Sequence, residues 1–166
     1  MIFKRISIVI MDIDKLFLKR AIEIAREGIN IGGGPFGAVV LKEGKVISEA
    51  INRVVLNNDP TAHAEILAIR EAASVLKTPD LSDCTLFSSC EPCPMCLGAI
   101  YWSGIKKVVY ACDRIDAEKA GFSDNHIYKE ILLDPAKRKI NFLHLDNTEG
   151  KEVFRKWDEL EDKTPY

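Results

Sequence analysis

The chain has 166 residues, 47% of them hydrophobic, a net charge of −2 and a pI near 6.0. That is the length and apolar content of one globular domain with a real core, which excludes disordered and fibrous classes. The mildly acidic balance argues against a surface that grips a polynucleotide backbone and favours a small substrate.

Five cysteines is an odd count, and three of them crowd into Cys90–Cys96. A secreted disulfide framework normally has an even number spread along the chain, so metal ligands in a reducing compartment, the cytoplasm, are expected instead. No apolar run approaches the ~18 residues of a membrane span. Residues 1–10 are basic and then apolar, but Asp12 and Asp14 follow at once and no small-residue cleavage site does, unlike a signal peptide. Met11 is an equally good start, so residues 1–11 are read as an N-terminal extension and 12–166 as a single domain.

Asp14 is placed to cap a helix with Phe17, Ala21, Ile24 and Ala25 on its apolar face, ending at Gly28. Gly32-Gly33-Gly34-Pro35 is a loop without a Walker lysine or dinucleotide-fingerprint spacing, which argues against phosphate binding. Phe36–Leu41 and Lys45–Ala50 read as strands joined by a Glu43-Gly44 hairpin turn. Asn57-Asn58-Asp59-Pro60 marks a turn, with Pro60 expected in the first turn of a helix from about Thr61 to Val75. Cys84–Ser88 reads as a buried strand, Pro94–Ser103 as a helix, Lys107–Ala111 as a strand and Asn141–Leu145 as a weaker one. Lys151–Asp162 predicts an amphipathic helix with Val153, Phe154, Trp157 and Leu160 on one side. A hairpin followed by strand–helix–strand units implies an α/β fold, a mixed sheet with helices on both faces.

His63-Ala64-Glu65 and Pro92-Cys93-Pro94-Met95-Cys96 carry the chemistry. One imidazole and two thiolates suit a four-coordinate zinc with one position left for water. Cys93 and Cys96, at i and i+3, share one face of a helical turn, and helix N-termini stabilise thiolates. Bound zinc acidifies its water, and Glu65, too near His63 to be a comfortable ligand, is placed to move that water's protons. The natural target is an amidine-like ring carbon bearing an exocyclic amine. Backbone N–H groups near Ala64 and Cys93 are candidates for fixing the substrate.

Other readings compete. A structural zinc would need a fourth ligand, for which Cys90 is the candidate, and Cys90-x-x-Cys93-x-x-Cys96 also matches part of an iron–sulfur run whose fourth cysteine is missing. Cys90 otherwise reads as a strand-end residue packed behind the metal, and Cys84 and Cys112 as core thiols. His126 and His144 lack any partner motif.

Three motifs resemble the cytidine deaminase superfamily: Gly34-Pro35-Phe36-Gly37-Ala38-Val39, Asn58–Ile66 and Cys90–Trp102. Ala120-Gly121-Phe122-Ser123-Asp124, Ile127-Tyr128-Lys129-Glu130 and a terminal tyrosine are more particular to its branch acting on guanine, although Ser123 stands where that branch has an acidic residue. The resemblance runs from about Asp14 to Tyr166. It implies a three-layer α/β/α sandwich with a five-stranded mixed sheet, and a homodimer that exchanges its C-terminal segment, about residues 150–166. It also implies that His63, Cys93 and Cys96 bind zinc and that Glu65 shuttles protons. Asn52 would hydrogen-bond the base, Phe36 and Trp102 would line or stack on it, Asp124 would accept its hydrogen bonds and Tyr166 would close the site.

The expected reaction is hydrolysis of guanine to xanthine and ammonia: water adds to C2, Glu65 protonates N3, and the 2-amino group leaves. A purine nucleoside, cytosine and a tRNA adenosine remain as alternative substrates, and a structural zinc module as the non-enzymatic one. The acidic pI favours a small purine base over nucleic acid.

Overall fold

The computed structural model describes the backbone of residues 2–164 and the side chains of residues 13–164; Tyr166 lies outside the described residues. The chain divides into a unit up to Asn125 and a second from His126.

The first unit opens with α1 (Ile2–Asn30). Contrary to the expectation that Asp14 caps this helix, it sits within it: residues 2–13 contain neither Gly nor Pro to stop the helix running back past it. The Asp14 carboxylate instead pairs with Lys107 Nζ at 2.7 Å. Two antiparallel strands follow, β1 (Gly34–Lys42) and β2 (Lys45–Asn52). Their turn has positive φ at both Glu43 (49°) and Gly44 (77°), the tight hairpin geometry that matches strand twist.

A one-turn helix, α2 (Val54–Asn57), leads through residues 58–63 into α3 (Ala64–Leu76). Pro60 therefore lies before the helix, not in its first turn. Asp59 Oδ1 takes both the backbone N–H (2.8 Å) and the hydroxyl (2.7 Å) of Thr61, and the Ala62 N–H donates to Asp59 O. These bonds wind 59–62 into a side-chain-closed turn and delay the helix to Ala64. Then come β3 (Cys84–Cys90), α4 (Pro94–Trp102), β4 (Lys107–Cys112), α5 (Arg114–Lys119) and the start of α6 (Asn125–Ile131).

The sheet has four strands in the order β2-β1-β3-β4, with β3 and β4 parallel and the other pairs antiparallel. Strand alternation sends side chains to two separate cores. Val39, Leu41 and Phe87 pack with Ala21 and Ile24 of α1. Ala38, Val40 and Leu86 pack with Ala64, Ala68, Ile69 and Ala72 of α3 and with Ile100 of α4. Helices thus cover both faces, giving three layers. Cys112, expected in the core, is exposed, because β4 is the outer strand and Cys112 its last residue.

The fifth strand expected at 141–145 does not form. In the second unit, α6 and a 3-10 turn (Pro135–Lys137) precede irregular, exposed chain up to Asp146. Arg138 organises this stretch: its guanidinium donates to the carbonyls of Glu130, Ile131 and Leu133 and lies 5.1 Å from the centroid of the Phe142 ring. The unit ends in α7 (Thr148–Asp158). That helix starts three residues before the expected Lys151 because Asn147 Oδ1 accepts from the Glu149 and Gly150 N–H groups. Val153, Phe154 and Leu160 remain exposed.

Candidate active site

Two helix starts face each other across the α3 side of the sheet. His63 is the N-cap of α3 (φ −66°, ψ 151°) and Cys93 the N-cap of α4 (φ −66°, ψ 170°). The two backbones adopt nearly the same extended cap conformation. Neither cap uses its side chain to hold the helix, so both side chains are left for other work. Pro94 at the first helical position favours the start of α4, and one turn brings Cys96 round to the side of Cys93. The Leu67 N–H donates to His63 O (3.0 Å) and the Leu97 N–H to Cys93 O (2.8 Å), closing the first turns on these residues.

The result is a triangle: Cys93 Sγ, Cys96 Sγ and His63 Nδ1 are each 3.5 Å from the other two. Zinc bonds of ~2.3 Å to sulfur and ~2.0–2.1 Å to nitrogen at tetrahedral angles put donor atoms roughly 3.6–3.8 Å apart. The triangle therefore fits three corners of a zinc tetrahedron with slight expansion. It is the His/Cys/Asp/Glu metal-type cluster among the described residues. Cys90 is not part of it; its thiol lies 3.6 Å from Asp113 O, and burial pushes it up to about 12. Without Cys90, three protein ligands leave a coordination position open.

Electrostatics agree with a site built for a cation. The Cys93 thiol is drawn down to about 4, first by a hydrogen bond from Cys96 and then by His63, despite burial. Cys96 is driven up because it keeps the proton that its neighbour gives up, and because it is buried. His63 is raised above 6.5 chiefly by its hydrogen bond with Cys93.

Glu65, 5% exposed, sits in the first turn of α3 beside this cluster. Burial raises its pKa above 4.5, the Cys93 charge adds to the rise, and His63 works against it. A buried carboxyl shifted towards neutrality is suited to exchanging a proton. Asp124 lies within electrostatic reach of Cys93 and His63 and is also raised, first by burial and then by the Cys93 charge. It lines a cavity of about 210 Å³ with Arg114, Ile115, Glu118, Ser123 and Asn125. A larger groove of about 930 Å³ along β2, α1 and α3 contains none of these residues.

The other expected base contacts divide. Asn52, 6% exposed, ends β2, where its Oδ1 accepts from the Val54 N–H at 3.2 Å. Ala64 is fully buried directly between His63 and Glu65. Phe36 packs against the α3-side core and meets the Phe122 ring edge-on, centroids 5.0 Å apart. Trp102 is not brought to the cluster: it ends α4, nine residues and ~13 Å along the axis from Cys93, and is 71% exposed. Two residues given no role by the sequence join the site. Phe122 fixes the segment carrying Asp124 against Phe36, and Ser88 hydrogen-bonds Glu65. Ser88 had a faint signal, a hydroxyl at an inward position of an apolar strand; Phe122 had none beyond its motif.

Comparison with known proteins gives a consistent picture. The family described as the cytidine and deoxycytidylate deaminase zinc-binding region matches residues 11–112. The chain is 52% identical over 151 residues to guanine deaminase of Bacillus subtilis (strain 168), covering 90% of this chain and 97% of that one. The X-ray structure of guanine deaminase from Bacillus subtilis superposes with a TM-score of 0.89 over 92% of this chain and 98% of that one. A tRNA-specific adenosine deaminase of Buchnera aphidicola subsp. Baizongia pistaciae (strain Bp) is 41% identical over 117 residues, 70% of this chain and 72% of that one. A solved structure in complex with 2,6-diaminopurine is 40% identical with a TM-score of 0.65, covering 67% of this chain and 62% of that one.

Proposed function

This chain belongs to the family of zinc-binding cytidine and deoxycytidylate deaminases, and on that premise we propose that it hydrolyses guanine to xanthine and ammonia. The observation that carries the reading is the 3.5 Å triangle of His63, Cys93 and Cys96 with the buried Glu65 carboxyl beside it. The choice of guanine is supported by the 52% identity to a guanine deaminase across nearly its whole length.

His63, Cys93 and Cys96 would hold zinc, which would supply a water acidified towards neutral pH and a positive charge beside the reacting carbon. Glu65 accepts a proton from the attacking water and delivers it to N3 of the base as C2 becomes tetrahedral. The same carboxyl then takes the remaining proton from the hydroxyl added at C2 and passes it to the 2-amino group, which leaves as ammonia while the C2 carbonyl forms. Asp124, ionised, accepts hydrogen bonds from the N–H groups of the purine; Asn52 and the backbone at Ala64 hold its other polar edge, and Phe36 lines the ring. Burial of Glu65 and Ala64 keeps bulk water from competing for the transferred proton. The protein works as a homodimer in the cytoplasm, with the segment from about residue 150 exchanged and Tyr166 closing the site. The exposed apolar residues Val153 and Phe154 on α7, with Leu160 just beyond its end, support a partner for that segment.

Ammonia release from guanine, guanosine, adenine, cytosine and a tRNA anticodon stem-loop tests the reading. Release from guanine alone is expected. Release from the stem-loop alone would move the protein to the tRNA-acting relatives.

A further inference from the structure

Ser88 is a polar residue in a place that should be apolar. On β3 the positions facing α3 are Cys84, Leu86, Ser88 and Cys90, and the first two belong to the core. Ser88 is 1% exposed, and a hydroxyl buried without partners is costly. It has two partners. Its Oγ accepts from the Cys90 N–H (3.4 Å) and donates to Glu65 Oε1 (3.3 Å).

The order of these bonds matters. A hydroxyl has a single proton, and an amide N–H can only donate. With one lone pair committed to Cys90, the Ser88 proton is free to point at the carboxylate, an acceptor when ionised. Cys90 is itself fixed by its pairing with Cys112 on β4, so the direction of the hydroxyl is set by the sheet.

We propose that Ser88 is a positioning residue that holds the Glu65 carboxyl through Oε1 and so leaves Oε2 to carry the proton. The proposal rests on the deaminase reading and deepens it. Ser88 is not one of the clustered donor residues; it acts through Glu65. Removing its hydroxyl should leave the carboxyl able to rotate, slowing proton transfer without weakening substrate binding.

The test compares Ser88→Ala with Ser88→Thr, which keeps the hydroxyl, all as zinc-loaded protein with guanine. Expected for Ser88→Ala is a kcat lower by about 10- to 100-fold, with KM within about threefold and one zinc per chain retained. Ser88→Thr should recover most of the loss. An isotope-edited infrared difference against Glu65→Gln should show the Glu65 carboxyl band displaced in Ser88→Ala and near its original place in Ser88→Thr. Should Ser88→Ala fail to fold, Ser88→Val against Ser88→Thr makes the same comparison at matched shape. A wild-type kcat in the hydroxyl-free variant, an unmoved infrared band, or equal impairment of both variants would overturn the proposal. If the wild-type protein releases no ammonia from guanine, the deaminase reading fails, and the infrared comparison still decides whether Ser88 holds Glu65.

Discussion

Glu65 and the three donor atoms beside it are governed by competition for protons. The cluster binds a cation only as one neutral imidazole and two thiolates. His63 is raised above its ordinary 6.5 by its bond with Cys93, and Cys96 is raised by keeping the shared proton. Both shifts make the metal-free site hold protons more tightly, so metal uptake must release them. Zinc affinity, measured by chelator competition at pH 8, 7 and 6, should therefore fall steadily with pH; an affinity that rises on acidification would contradict the assignment. Glu65→Gln keeps the shape of the side chain and removes its proton chemistry. Turnover should drop by ~10²–10⁴-fold or more while zinc content and melting temperature hold. The cluster of His63, Cys93 and Cys96 with Glu65 was legible in the sequence because two short motifs occur together, each of which alone has other uses. Ser88 was not, since its role depends on strand parity and on a partner 23 residues away. Trp102 adjoins the cluster's motif in sequence, and α4 places it at the opposite end of the helix from Cys93.

At the scale of elements, positions are set where backbones come closest. An added Cβ on Gly37 would lie 2.4 Å from Ala21 O and 2.5 Å from Ala25 N of α1. Neither atom can move without shifting the helix. Gly37→Ala should destabilise the protein by about 2 kcal/mol, a drop of roughly 4–8 °C by calorimetry; an unchanged midpoint would mean that α1 is free to move outward. The Gly37 N–H donates to buried Ser89 Oγ at 3.0 Å, so the same contact ties β1 to the strand that ends at the ligand loop. Most elements followed from apolar periodicity and turn residues. Where expectation and structure part, a side chain decided. Asp59 captured the donors that would have begun α3 early, and Asn147 captured those that start α7. The segment 141–145 has strand-like composition, but Arg138 binds the preceding carbonyls and covers Phe142 instead of leaving the chain to pair.

For the whole molecule, metal and tail are the two levers. The proposed zinc ligands come from two helix starts 30 residues apart, so a bound ion would stabilise the fold by mass action, about 4 kcal/mol when present at 1,000 Kd. Stripping it with a chelator should lower the melting temperature by roughly 8–16 °C, restored by zinc and not by magnesium. Deleting Thr164–Tyr166 should impair turnover of guanine while leaving zinc bound, and light scattering should still give a dimer. An unchanged rate would remove the tail from the site.

The two cores on opposite faces of the sheet share strands but no side chains. Only the α3 face leads to the ligands, through Ala64 and Ile100. Positions such as Val39 and Leu41 beneath α1 therefore set how firmly the sheet is held without touching how the reacting groups are arranged. Evolutionary drift, or deliberate thermostabilisation, can proceed on that face with little toll on the chemistry. The α3 face inherits the margin so gained, which offsets the cost of burying the Ser88 hydroxyl and the Glu65 carboxyl.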